Sequence, residues 1–140
     1  MPEINSSQPV SVGFATTDAT QGTAATFDTS FWTDGCFTVL ATVTARETVD
    51  SDEGAGYILA GTFLRTSGVT TLLGSVTAVH TAESTGGWAA TMDVDSDGDN
   101  VRVRVTGASS TDIKWLTKMD VQVNDLTPYN ALGNGVTFPP

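Results

Sequence analysis

The stretch MDVDSDGDNVRVRV, residues 92–105, holds the densest run of chemically capable side chains in the sequence. Asp93, Asp95, Asp97 and Asp99 alternate with other residues, and Gly98 follows the third aspartate directly. Carboxylates at loop positions 1, 3 and 5 with glycine at 6 are the pattern of a calcium-binding EF-hand loop, which also needs a bidentate glutamate at position 12. Counted from Asp93, position 12 is Arg104. A guanidinium there removes the bidentate ligand and repels the ion. The reading carried forward is therefore a hairpin turn, with Asp and Gly supplying the turn geometry. A weaker calcium site shared with the acidic loop Asp50–Asp52–Glu53 is the alternative, and no other metal or cofactor is expected.

Nucleophilic catalysis would need His80, the only histidine, close to Cys36, the only cysteine, or to a serine. His80 lies within an apolar run, and no G-x-S-x-G elbow is present. One histidine and one cysteine are too few soft ligands for zinc. Sixteen carboxylates leave room for an acid pair of the glycosidase kind, but none sits in an aromatic-lined setting. The chain is read as a non-enzyme. Among the aromatics, Trp88 and Trp115 fall at core-facing positions. Phe14, Phe31, Trp32, Tyr129 and Phe138 fall in the less regular ends and are the partner-binding candidates, as a sugar-stacking platform or as anchors that dock on a partner. Docking is preferred because these rings are expected on arms.

The composition behind these residues is that of a β protein. Hydrophobic residues make up 39% and charged residues only 16% of 140, with Thr, Ser and Gly filling the gap. That mixture suits strands and turns, and the length suits one domain with its own core. A net charge of −10 works against binding to phosphate backbones and anionic membranes, so neither nucleic acid nor membrane is expected as a partner. The opening MPEINSSQPV has neither the basic nor the apolar region of a secretory leader, so synthesis in a host cytoplasm is expected.

Three zones organise the chain. Residues 1–35 read as an N-terminal arm with short strands, 36–123 as a dense body, and 124–140 as an extended C-terminal arm. That last arm holds three of the five prolines. Within the body, runs at 36–49, 57–65, 69–82, 88–94, 101–107 and 113–123 are separated by Gly/Asp/Ser turns. Gly61 marks a bulge or a close approach. Val101, Val103 and Val105 alternate with Arg102, Arg104 and Thr106, and Ile113, Trp115, Met119, Val121 and Val123 alternate with polar neighbours. Period two with one wet face is the mark of antiparallel strands. The expected fold is an all-β antiparallel sandwich, jelly-roll-like, with irregular arms.

Five segments of the body resemble a small β-sandwich module of tailed-phage virion structural proteins, of the capsid-decoration, head-fibre and tail-fibre type. They are Tyr57–Arg65, an aromatic strand ending in Arg; TLLGS at 71–75; Trp88–Ala89; VRVTG at 103–107; and IKW at 113–115. The resemblance covers about half the chain and consists of core and turn residues, so it implies fold and virion context and no catalytic site. With it, the favoured reading is a capsid decoration (cement) protein on the capsid surface of the virion. Its arms would lace across the major capsid protein, adding strands at neighbouring edges, and stabilise the shell by linkage. Three-fold positions on shells suggest a homo-oligomer, a trimer. The other reading is a receptor- or glycan-binding module of the tail fibre.

Overall fold

The computed structural model of the chain describes residues 11–49 and 52–125. Eight strands and no helix are found among them: β1 (Val12–Thr16), β2 (Gly22–Asp28), β3 (Gly35–Glu47), β4 (Gly54–Thr66), β5 (Val69–Glu83), β6 (Ala89–Val94), β7 (Asn100–Thr106) and β8 (Ile113–Asn124). They make two antiparallel sheets, β1-β8-β3-β4-β5 and β2-β7-β6, packed face to face. The chain is an all-β sandwich, as its alternation requires. It is jelly-roll-like at its flanks, where β1 pairs with β8 in one sheet and β2 with β7 in the other. The departure lies in the hairpin β4–β5, which stays in the first sheet beside β3.

Period-two patterning decides which atoms meet. In β3, Phe37, Val39, Ala41, Val43 and Ala45 point inward and are buried, while Thr38, Leu40 and Thr42 face out. Val101, Val103 and Val105 of β7 close on them from the smaller sheet and are fully buried, with Met92 of β6 beside them. Each such side chain stabilises the fold by roughly 1.5–3 kcal/mol relative to exposure. Trp115 stands at the centre of the β8 side, between Tyr57 and Trp88, at ring-centroid distances of 6.5 and 6.1 Å. Its indole N–H is buried and donates to Thr16 Oγ1 at 2.9 Å, which ties β8 to the end of β1. Gly61 is both things expected of it. The β4–β5 register shifts beside it, and a β-carbon there would stand 3.2–3.3 Å from Phe63, Met92 and Val76.

Two features of this architecture bear on function. The first sheet is two strands wider than the second, so β5 overhangs, and Thr70 alone among its fifteen residues is buried. The second feature concerns residues 12–28. These supply one strand to each sheet, which makes them part of the sandwich. Of the expected C-terminal arm, Asn124 is the last residue of β8, and Tyr129 and Phe138 lie outside the described residues.

Candidate functional site

Antiparallel order brings three connections to one end of the sandwich: residues 29–34 between β2 and β3, the Ser67–Gly68 turn between β4 and β5, and residues 95–99 between β6 and β7. Arg65, next to last in β4, sits beneath them with its side chain 5% exposed. Its Nε donates to the Trp32 carbonyl at 2.5 Å, and its Nη1 donates to the Gly98 carbonyl at 2.9 Å. Asp99 Oδ1, Thr70 Oγ1 and Thr29 Oγ1 lie 3.2, 3.2 and 3.3 Å from the same Nη1. Thr29 Oγ1 donates to the Asp99 carbonyl at 2.6 Å. The proton between Thr29 and Thr70, whose hydroxyls are 2.9 Å apart, must therefore come from Thr70. One guanidinium thus ties the 29–34 and 95–99 connections to each other and to Thr70 at the start of β5, with its charge partly met by Asp99 and the rest by carbonyl and hydroxyl oxygens.

Backbone bonds finish the job. Thr29 N–H donates to Asp99 O at 2.8 Å, Thr70 N–H to Gly98 O at 2.9 Å, and Gly68 N–H to Thr33 O at 2.9 Å. Asp34 accepts from Ser67 N–H at 3.0 Å, and Asp28 accepts from Ser30 N–H at 2.9 Å. The hydrogen bonds from Ser30, side chain first, hold the Asp28 carboxyl below the usual carboxylate range. This end of the sandwich is a braced surface made of turns.

The four aspartates of residues 93–99 divide their work. Residues 95–99 form the turn of the β6–β7 hairpin, closed by Asp95 N–H to Asn100 O and Gly98 N–H to Asp95 O, both 3.0 Å. Gly98 takes φ +75°, a left-handed conformation that glycine adopts without strain. The Asp95 carboxylate accepts from Asn100 Nδ2 at 2.8 Å and from the Asp99 and Asn100 N–H groups at 3.0 and 3.2 Å. Those bonds, the Asn100 side chain foremost, lower its pKa to about 2. Asp93 lies on the outer face of the small sheet and accepts a two-pronged bond from Arg102, at 2.9 and 3.0 Å, with Arg104 Nη1 at 3.7 Å. The bond from Asp93 raises the Arg102 pKa. Asp99 is held by Arg65. Among the described residues no three His, Cys, Asp or Glu side chains are arranged to hold a metal ion. The other acidic loop lies at the far end of β4, where Asp52 pairs with Arg46 and Glu53 accepts from Ser84.

The aromatic candidates separate cleanly. Phe14 is half-buried, opposite Trp115, with its ring against Gly22 of β2. Trp32 is half-buried in a cluster with Phe37 and Phe27, at centroid distances of 5.1 and 5.8 Å. Phe31 is 85% exposed and stands edge-on against Trp32, at 5.2 Å and 84°. Both belong to the connection that Arg65 braces. Arg65 was not singled out from the sequence. Its signal is a lone charge ending the apolar strand YILAGTFLR, within one residue of a turn. His80 and Cys36 stay apart. His80 in β5 pairs with Ile58 and Cys36 in β3 pairs with Leu64, and these two β4 residues are six positions apart along the strand, or about 20 Å.

No protein-family model and no curated protein matches the chain. Among solved structures, it is similar to the tailspike protein of Acinetobacter baumannii phage AM24, with TM-score 0.44 and 7% identity. That match covers 88% of this chain and 27% of that one. It is also similar to the tailspike protein of Acinetobacter phage vB_ApiP_P1, with TM-score 0.32 and 19% identity, covering 84% of this chain and 21% of that one. The chain therefore spans about a quarter of the length of the tailspike proteins it matches.

Proposed function

We propose that the chain is a non-enzymatic binding module of a phage virion that acts on the tail and recognises a glycan of the host surface. The virion context rests on the resemblance of residues 57–115 to phage structural modules. The choice of tail over capsid rests on one observation. Phe31 offers an exposed ring on a connection that Arg65 and its partners hold in place. A ring face stacks on the apolar face of a sugar, and the carboxylates that flank Phe31 in sequence, Asp28 and Asp34, would accept hydrogen bonds from sugar hydroxyls. A pre-set site of this kind loses little entropy on binding.

The cement reading drew its force from aromatics expected on a pliant arm. Phe14, Phe27 and Trp32 instead pack against the core of the sandwich. With those rings taken up inside, Phe31 is the one N-terminal candidate left for a partner, and it stands on a rigid end.

Adsorption of the purified protein to host cells, and to polysaccharide extracted from them, tests the proposal, together with immunogold labelling of the particle. The expected result is saturable binding that Phe31→Ala reduces at least tenfold without changing the melting curve, and label on the tail. Label spread over the head, with binding to empty shells and none to cells, would restore the cement reading.

A further inference from the structure

Arg102 and Arg104 of β7 both stand on the outer face of the small sheet, but only one of them is satisfied. Arg102 takes both oxygens of Asp93, at 2.9 and 3.0 Å. That leaves Arg104 with Asp93 Oδ2 at 3.7 Å, too far for a hydrogen bond. Its side chain is nonetheless only 19% exposed, and its Nε is buried without a partner. Of the five N–H donors on a guanidinium, none on Arg104 meets an acceptor among the described residues. A buried donor in that position costs stability unless something supplies the acceptor. The setting of Arg104 is uncharged and rich in hydroxyls. Thr23 of β2 and Thr91 of β6 pair with it on either side, Thr106 is the next residue of β7 on that face, and Thr26 lies opposite Arg102. These four hydroxyls have no hydrogen-bond partner among the described residues. The acids of this flank stand beyond Arg102, where Asn100 pairs with Asp28 and donates to Asp95.

We propose that Arg104 anchors a carboxylate-binding subsite on the outer face of the small sheet, and that its ligand is a sugar unit bearing a carboxylate. The proposal rests on the glycan reading and adds a second contact to it. Arg104 lies four positions along β7 from Asn100, or about 13 Å from the end that carries Phe31. One glycan strand can therefore engage both. The planar fork of an arginine matches a carboxylate, which accepts two parallel bonds from it. Rotation about the outer torsions of Arg104 lifts its Nε–Nη2 edge off the sheet, where a carboxylate supplies the missing acceptors. Threonine hydroxyls on either side both donate and accept, as sugar hydroxyls require. Asp93 does not compete, because Arg102 holds both of its oxygens. A chain of net charge −10 repels a densely charged polymer, which favours a lone carboxylate among neutral sugars.

Titration of the whole chain with methyl glucuronide tests the subsite, followed by NMR at the Arg104 Nε–Hε resonance and at the Thr23 and Thr91 amides. Two comparison ligands separate the parts of the claim. Methyl glucoside has a hydroxymethyl group in place of the carboxylate, and acetate lacks the sugar. Saturable shifts with the glucuronide are expected. Binding should be weaker by roughly tenfold or more for either comparison ligand, and for the glucuronide on Arg104→Gln. That variant should melt with the native chain, since the side chain it replaces makes no hydrogen bond. Glucoside or acetate binding as tightly as the glucuronide would overturn the proposal. So would an Arg104→Gln variant that binds undiminished, or one that melts well below the native chain. Adsorption to cells that falls with Phe31→Ala but not with Arg104→Gln would sink this subsite alone and leave the glycan reading standing.

Discussion

The Arg65 guanidinium lies 3.2 Å from the Asp99 carboxylate, yet the two ends of this ion pair live in different solvents, with side chains 5% and 41% exposed. Burial on one side only makes the pair unequal. Asp99 can return to water when its partner goes. Arg65 cannot, and it depends on the carbonyls of Gly98 and Trp32 and the hydroxyls of Thr29 and Thr70 as much as on the acid.

Replacing each partner in turn should expose that inequality. Arg65→Met takes the donor from the Trp32 carbonyl, removes a second partner from the Gly98 carbonyl and the Thr29 and Thr70 hydroxyls, and should cost about 2–4 kcal/mol of folding stability. Asp99→Asn keeps a neutral acceptor and leaves the arginine its other oxygens, so about 1 kcal/mol or less is expected. Urea unfolding of both variants checks this. Equal losses would mean that the ion pair, and not the cross-bracing, dominates.

A second brace joins the opposite flank. Trp115 is fully buried, and its N–H has Thr16 Oγ1 as its acceptor. Thr16→Val keeps the shape and removes the oxygen, which leaves a buried donor unpaired at a cost of about 1–3 kcal/mol. Thr16→Ser should recover most of that. Chemical denaturation followed by tryptophan fluorescence reads both.

What could be seen in the sequence, and what could not, divides along the range of the contacts involved. The inward sets of β3, β7 and β8 were legible because a period of two is a local property, and Val101, Val103 and Val105 needed no partner to declare their face. β1 and β2 were not assigned to sheets. Their membership depends on β8 and β7, some ninety positions on, and VGFAT and GTAATFD alternate too weakly to announce a buried side. The exposure of β5 was hidden for the opposite reason. VTTLLGSVTAV reads as core by composition, and only the narrowness of the other sheet leaves it bare. Phe31 was legible as a candidate, but no local signal separates its ring from that of Trp32, one residue on. The brace that makes the connection rigid comes from Arg65 in β4 and from two distant turns, at residues 67–68 and 95–99.

Alkaline stability should track Tyr57. Burial, aided by the hydrogen bond its hydroxyl donates to Glu83 at 2.5 Å, pushes the phenol pKa well above its ordinary value of 10. A folded pKa raised above the unfolded one gives stability that is fully present below pH 10 and is lost as pH climbs through the folded value. Urea midpoints should therefore fall between about pH 10 and 11 in the native chain. Tyr57→Phe should flatten that fall while costing about 0.5–1.5 kcal/mol at neutral pH for the lost hydrogen bond.

Acid stability should depend on Asp95 in the opposite sense. Its carboxylate, held by Asn100 and two backbone N–H groups, has a pKa of about 2 against an ordinary 3.8. A depressed folded pKa contributes stability that is present above the unfolded value and disappears as pH drops from about 4 towards 2. Asp95→Ala should remove that part of the acid transition and lower stability at neutral pH. If the turn owes its order to these hydrogen bonds and not to an ion, calcium at millimolar levels should leave the melting temperature unchanged, both in the native chain and in the double variant Asp95→Ala, Asp97→Ala. A calcium-dependent rise that the double variant loses would instead make residues 93–99 an ion site. Asp93 would then have to leave Arg102, and Asp99 Arg65, to form it.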